Sequence, residues 1–193
     1  MRKSKVETAR TRQRIVKVAG AEFAANGISE AALARVMSAA GLTHGGFYRH
    51  FTSKDQLVLE ACSKTLLSLV AGLELLAKAK PHKQALPLLV AHYVSRAHRD
   101  QPKTGCPLAA LGSELARRDK RTRQVAMEGF LQLSRLVASQ LEAVPFRKRA
   151  DRSMAIISAM VGAVTLARIV PDSRISDSVL AATRDYILRS VRL

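Results

Sequence analysis

The 193 residues carry 32 Lys and Arg against 15 Asp and Glu, a net charge of +17 with a pI near 10.9. A chain of this length is one domain of ordinary size, or a small domain carried on a larger one, and has no room for a large barrel. With 48% hydrophobic and 24% charged residues it can build a core, which excludes a disordered basic tail, while the excess charge calls for a polyanionic partner, nucleic acid or an acidic membrane surface.

Five Phe, three Tyr and no Trp, beside abundant Ala, Leu, Val and Arg, favour helices over sandwiches and barrels, so the expected fold class is all-α. The opening Met1-Arg2-Lys3-Ser4-Lys5-Val6-Glu7 is basic with no apolar stretch behind it, so no secretory leader is expected and the expected location is cytoplasmic. Ile15, Ala19 and Phe23, with Val16 and Val18 beside them, recur at i, i+4 and i+8, and Asn26-Gly27 stops the run. They predict a first helix of about three and a half turns. Leu33, Val36, Met37 and Ala40 predict a second, shorter helix that Gly41 ends. Thr43 then caps a third element whose inward side is Phe47 and Phe51. Ser53-Lys54-Asp55-Gln56 fits a capping box and opens a long fourth helix that runs to about Lys80, before Pro81. Breaks at Gln101-Pro102, Gly105-Cys106-Pro107, Val144-Pro145 and Val170-Pro171-Asp172 separate four further apolar stretches, giving about nine helices.

No run reaches the roughly 18 uncharged apolar residues of a membrane span. The best candidate, Met154 to Val170, contains Ser158 and Arg168 and reads as a buried helix, so no membrane is expected as a partner. Cys62 and Cys106 lie far apart, with no C-x-x-C and no Cys/His spacing, so neither a disulfide framework nor a metal site is expected.

The densest aromatic cluster is Phe47-Tyr48-Arg49-His50-Phe51, directly after Thr43-His44-Gly45-Gly46. A short helix with two inward Phe and an outward face of Thr, His, Tyr and Arg, preceded by a bracing helix and a glycine turn, has the dimensions of a helix-turn-helix. Gly45 and Gly46 carry no side chains, so the start of that helix can approach phosphate or base edges closely.

At this point the sequence resembles the TetR family of bacterial transcriptional regulators. The resemblance runs through Thr11-Arg12-Gln13-Arg14-Ile15, Ala21-Glu22-Phe23 and Gly27, Ala39-Ala40-Gly41-Leu42-Thr43, Gly46-Phe47-Tyr48-Arg49-His50-Phe51 and Ser53-Lys54-Asp55-Gln56-Leu57, over about residues 10 to 60. It implies a three-helix DNA-binding head over residues 1–54, with the helix-turn-helix at 32–51, and a larger helical C-terminal region over 55–193 that dimerises and holds a small-molecule effector. Thr43, Tyr48, His50 and Lys54 match positions that touch the DNA backbone in such proteins, and each side chain can bond phosphate oxygens. His44, Gly45, Gly46 and Arg49 match positions that face the major groove, where Arg49 can pair with guanine or phosphate and His44 can donate to a guanine edge. Arg2, Lys3, Lys5, Arg10, Arg12 and Arg14 form a basic arm that adds sequence-blind attraction.

Three positions depart from the family pattern. Ala31 and Ala32 stand where Thr or Ser is usual, which removes a phosphate contact at Ala32 and passes the capping of the second helix to Ser29; Met37 stands where Ala is usual. Residues 1–54 hold +7 of the net charge and the remainder +10, so the head is enriched in charge without monopolising it. Arg117-Arg118-Asp119-Lys120-Arg121-Thr122-Arg123 and Arg147-Lys148-Arg149 read as loops or solvated faces, with contact to flanking DNA as the alternative.

In the C-terminal region, residues 154–164 are apolar nearly all round and rich in small residues. The last helix shows a stripe of Val179, Leu180, Thr183, Tyr186, Ile187 and Val191. The resemblance implies that these two helices pair with their copies in a homodimer, the alternative being intramolecular core. His92, Tyr93, Cys106 and Phe130 are candidate effector-pocket residues, though each taken singly reads first as a satisfied core residue. Cys106 precedes Pro107 at a helix start, where free amides and nearby Lys103 would lower its pKa. The choice there lies between an oxidant- or electrophile-responsive thiol and a buried inert one.

No Gly-rich phosphate loop, H-E-x-x-H or G-x-S-x-G motif occurs, and the five His show no ligand spacing, so no enzyme activity, cofactor or metal is expected. The expected function is a ligand-responsive regulator, a repressor, that binds a pseudo-palindromic double-stranded operator as a dimer. The rival is a non-specific nucleoid-type DNA-binding protein, which would not need so much apolar C-terminal helix.

Overall fold

The computed structural model describes residues 5–191. Among them the elements in chain order are α1 (Lys5–Asn26), α2 (Glu30–Ala39), a 3-10 helix (His44–Arg49), α3 (Lys54–Lys78), α4 (His82–Tyr93), α5 (Arg96–Asp100), a 3-10 turn (Pro102–Thr104), α6 (Pro107–Leu115), α7 (Lys120–Ala138), α8 (Phe146–Ile169) and α9 (Ser173–Ser190). The class is all-α: a helical head with a helix-turn-helix, followed by a helical C-terminal body.

Ile15, Ala19 and Phe23 are buried as the α1 stripe requires, and Gly27 ends the helix at φ +74°. The helix also extends back to Lys5, so Lys5, Arg10, Arg12 and Arg14 sit on a rigid element and not on an arm. Arg2 and Lys3 lie outside the described residues. Ser29 Oγ accepts from the Ala32 amide at 3.1 Å and caps α2. At the other end Gly41, at φ +68°, carries paired bonds from its own amide to the Ser38 carbonyl and from the Leu42 amide to the Met37 carbonyl. That is the 5→2 and 6→1 pattern of a Schellman stop, which places a left-handed residue where Gly fits without strain.

The third element is 3-10 and not α. Two adjacent glycines at its start have little helix propensity, and the short segment winds tightly, with Gly46 N bonded to Thr43 O at 3.0 Å and His50 N to Phe47 O at 2.9 Å. The long linking helix is therefore α3. Ser53 Oγ caps it by accepting from Gln56 N at 3.1 Å, but the Gln56 side chain reaches back one residue further than a capping box, to Thr52 N at 2.8 Å.

Beyond α3, each proline break falls where expected. Two others were silent in the sequence: Ser95 caps α5 after Val94, and Asp119 caps α7 by accepting from Arg121 N at 2.8 Å and Thr122 N at 3.1 Å. The first run of basic residues is thus partly spent on a helix start.

In the body α3 packs on α7, α7 on α8 and α8 on α9, while α4 bridges α3 and α9; α6 lies across α1, α3, α7 and α8. Gly129 of α7 lets the helix meet Leu66, which is 2.5 Å from where a Cβ would stand. One continuous apolar cluster runs from Ile15, Phe23, Phe47 and Phe51 through Leu57 and Leu66 to Leu89, Leu133, Ile157 and Met160. Helices α3 and α8 are long and apolar enough by composition to cross a membrane, which the sequence reading did not anticipate for either. Both have one face in this core.

Candidate nucleic-acid interface and effector cleft

The 3-10 helix is fixed from beneath. Phe47 and Phe51 are buried and stacked with centroids 5.5 Å apart, and Tyr48 meets the Phe47 edge at 5.2 Å. Met37, buried in α2, reaches 3.9 Å from where a Gly46 Cβ would stand, so its bulk is taken up by the glycine opposite. Arg12 of α1 ties the base of the segment: its guanidinium grips the Glu60 carboxylate of α3, donates from Nε to the His50 carbonyl at 3.2 Å and lies 4.5 Å from the centre of the Phe51 ring. Arg12 therefore serves the head's packing and leaves the set of residues expected to attract DNA.

The upper side is open. Tyr48 is 69% exposed, and Thr43, Gly45 and Arg49 are exposed with it. Thr43 stands at the N-cap position, yet its hydroxyl makes no capping bond, contrary to the expected cap; 3-10 winding takes its carbonyl instead. No atom lies within 4 Å of a Cβ built on Gly45, so the backbone there faces solvent. Gly46, His50 and Lys54 are half-buried at the flanks, and the His44 side chain lies outside the described residues. Ala32, in the first turn of α2, is fully buried, so this position turns to the core and away from any phosphate; the Ala31 side chain lies outside the described residues.

The expected effector residues divide. His92 and Tyr93 line a cavity of about 400 Å3 with Leu69, His98, Thr104 and Gly105. His92 also borders an adjoining cleft of about 590 Å3 between α1 and α3, rimmed by Lys17, Lys64 and Lys103. Phe130 sits half-buried on α7 against the core and borders neither. Cys106 takes the N-cap position of α6 with Pro107 at its first turn, as expected, but the thiol is fully buried. Burial pushes its pKa up despite the opposing pull of Tyr93, the Ala109 and Leu108 amides and Arg168. Lys103 is turned to Glu22 at 3.8 Å. Of the two readings of Cys106, this environment favours the buried, protonated thiol over the activated one. Cys62, also buried, is pushed up to about 12 by burial and the neighbouring Cys106.

Among the described residues no group of three or more His, Cys, Asp or Glu is placed to hold a metal.

The family model for bacterial regulatory proteins, tetR family, matches residues 15–61, and that for the LmrA/YxaF-like transcriptional regulator C-terminal domain matches residues 83–179. The chain belongs to the TetR family. Among curated relatives, the probable acrEF/envCD operon repressor of Escherichia coli (strain K12) is 39% identical over 59 residues, which is 31% of this chain; the chain spans only 27% of that relative's length. A TetR transcriptional regulator from Chloroflexus aurantiacus J-10-FL shares the fold with a TM-score of 0.77 at 24% identity, over 95% of this chain and 96% of that one. One from Cytophaga hutchinsonii reaches 0.78 at 22% identity, over 97% of each.

TetR-family membership places a transcription regulator's head on a body, and here the two are joined by side chains that sequence reading missed. Glu114, at the end of α6, accepts from the Ile28 amide at 2.7 Å, and its carboxylate lies 3.0 Å from where a Gly27 Cβ would stand. Arg118 pairs with Asp55 at 3.0 Å and donates to the Ile28 carbonyl at 3.4 Å. Both partners are separated in sequence by far more than a helix turn, and only the position of Gly27, a turn whose next amide needs an acceptor, hinted at one.

Proposed function

We propose that this TetR-family protein is a ligand-responsive repressor that binds a pseudo-palindromic operator as a homodimer in the cytoplasm. In this reading residues 1–54 are the reading head and 55–193 the effector-binding and dimerising region. Thr43, Tyr48, His50 and Lys54 hold phosphates; His44, Gly45, Gly46 and Arg49 face the major groove. The observation that carries the reading is the two-sidedness of residues 43–51: Phe47 and Phe51 are locked into the core while Tyr48 and Arg49 stand in solvent. A large exposed aromatic beside an arginine and a bare glycine start suits a phosphate-and-base contact far better than a solvated surface.

Two such heads must meet successive major grooves about 34 Å apart. The body offers a surface for that pairing. Leu166 and Ile169 on α8 and Ile175 and Tyr186 on α9 are more than half exposed, and small Ala155, Ser158 and Gly162 continue the α8 stripe. Outward Ile175 and Tyr186 are thus distinct from inward Leu180 and Ile187 on the same helix. A ligand bound beside His92 and Tyr93 would release DNA if it favoured a dimer with wrongly spaced heads, since differential affinity for two forms is all that switching needs. Helix α3 carries the change at one end and Lys54 at the other, with α6 as a second route through Glu114.

Footprinting on the DNA upstream of the protein's own gene tests the reading. A discrete, two-fold-related protected site is expected; uniform protection without a boundary would favour the nucleoid-type alternative.

A further inference from the structure

The basic run 117–123 lies at the head end of the body, and the packing of α7 on α3 puts it there. Arg118 Nη1 meets Asp55 at 3.0 Å across a sequence separation of 63, and the same offset joins Leu66 to Gly129 where the two helices touch. Further along, Val70, Ala71 and Glu74 share a cleft with Gln132, Arg135 and Leu136. Contacts that advance together in this way mean that α7 runs parallel to α3, so the two helices start side by side. By that register Arg117 is level with Lys54, while Lys120 and Arg121 are level with Leu57 and Val58, about 4.5–6 Å further along the axis. Helical side chains lean toward the N-terminus, which here is back toward the level of Lys54. Residues 43–51 run into the same end through Thr52 and Ser53.

Folding does not account for this charge. Arg117, Lys120, Arg121 and Arg123 are exposed, and among the described residues none of them is in an ion pair. Arg117 donates only to the Ser113 carbonyl, at 3.1 Å. The first turn of α7 holds Lys120 and Arg121 and no acidic residue, the sign of charge that the helix macrodipole disfavours at an N-terminus. Asp119, the carboxylate that suits this end, is the cap itself and takes up the Arg121 and Thr122 amides, so attraction for an anion is left to the side chains. Arg118 acts differently. Asp55 is one residue from Lys54 and its side chain is 55% exposed; the Arg118 guanidinium neutralises a charge that would repel phosphate there. Glu60, one turn on, is matched in the same way by Arg12.

We propose that Arg117, Lys120 and Arg121 form a second phosphate-binding patch, carried by the body, which holds the DNA backbone beside the phosphate assigned to Lys54. The inference rests on the DNA-binding reading above for its ligand and adds the body to the contact surface. Packed helices are about 8–10 Å apart and successive phosphates of one strand advance about 3.4 Å along the duplex axis, so the patch falls about two or three phosphates from that of Lys54. Contacts of this kind carry no sequence information and act through the release of bound counterions.

The salt dependence of DNA affinity tests this on the full chain, by fluorescence anisotropy on the footprinted fragment and on a scrambled competitor. The triple variant Arg117→Ala, Lys120→Ala, Arg121→Ala should reduce the slope of log Kd against log salt by about 2–3 and weaken binding to both DNAs about tenfold or more at roughly 0.1 M salt, with the ratio between them unchanged. Its melting temperature should equal or exceed wild type, because two cations leave a helix start. A control triple, Lys78→Ala, Lys80→Ala, Lys83→Ala, removes the same charge from exposed positions around the opposite end of α3 and should keep the wild-type slope. An unchanged slope in the first variant, or an equal reduction in the control, would overturn the patch. If wild type binds both DNAs equally, the selective-regulator reading fails and the two slopes still decide the patch; if it binds neither, both fail.

Discussion

Glu114 of the body accepts a 2.7 Å hydrogen bond from the Ile28 amide, in the turn that joins the first two helices of the head. The acceptor stands at the far end of α6 from Cys106, so one nine-residue helix spans from that buried thiol to the head. Removing the carboxylate in Glu114→Ala leaves a part-buried amide unmet, which costs about 1–3 kcal/mol. Urea denaturation should show that loss, with faster hydrogen exchange at Ile28, and Glu114→Gln, which keeps an acceptor oxygen, should recover most of it.

Arg12 distinguishes packing from DNA attraction. Its fork is spent on Glu60, the His50 carbonyl and Phe51. Arg12→Lys keeps the charge but loses the planar fork, and about 1–2 kcal/mol of head stability should go with it. The salt dependence of DNA binding should be unchanged in this variant, whereas exposed Arg10 and Arg14 should each reduce the slope when replaced by Ala if they meet phosphate.

These two residues mark how far the sequence could be read. The apolar stripe of α1, the Schellman glycine at 41, the Ser53 cap and the Phe47/Phe51 inner face follow from local spacing, and all appear in the structure. Arg12 was misread because its partner Glu60 lies 48 residues on, and a basic residue near the start of a basic chain looks like an arm until that carboxylate is in place. Cys106 stayed open for a related reason: the helix start is visible in Cys-Pro, but the burial that favours the inert thiol depends on Tyr93, His98 and Arg168 converging from three other segments. The exposed stripe of α8 could not be separated from its buried one because both faces are apolar from Met154 on, while on α9 the outward Ile175 and Tyr186 stand among Arg174, Asp185 and Arg189.

Acidification should weaken the fold through His98. Its two ring bonds, to the Tyr93 carbonyl and from the Cys106 amide, need the neutral ring with the proton on Nδ1. Burial pushes its pKa below the ordinary 6.5, with Arg168 and His92 acting in the same direction and the Tyr93 carbonyl opposing. The unfolded chain then takes up this proton first as pH falls, so the stabilisation is complete above pH 6.5 and is lost as pH drops through the lower folded-state value. Asp100 and Asp177, held below the usual 3.8 chiefly by bonds from Arg99, act only at far lower pH. Denaturation across this range should show stability falling below pH 6.5 in wild type and a flatter profile in His98→Gln.

The α8 and α9 surface should determine association. Burying Leu166 or Ile169 at an interface contributes about 1.5–3 kcal/mol each, so Leu166→Glu with Ile169→Glu should turn a dimer into a folded monomer. Light scattering after gel filtration, with circular dichroism to check folding, reads this directly. A wild-type monomer at micromolar concentration would remove the surface from the account.

The central claim, that the open face of residues 43–54 reads DNA, is tested most directly by fluorescence anisotropy on the footprinted fragment and on a scrambled competitor. Arg49→Ala should lose about 1–3 kcal/mol of discrimination between the two, and Tyr48→Ala should lose affinity for both, each with a wild-type melting temperature. Wild-type affinity and discrimination in both variants would contradict it.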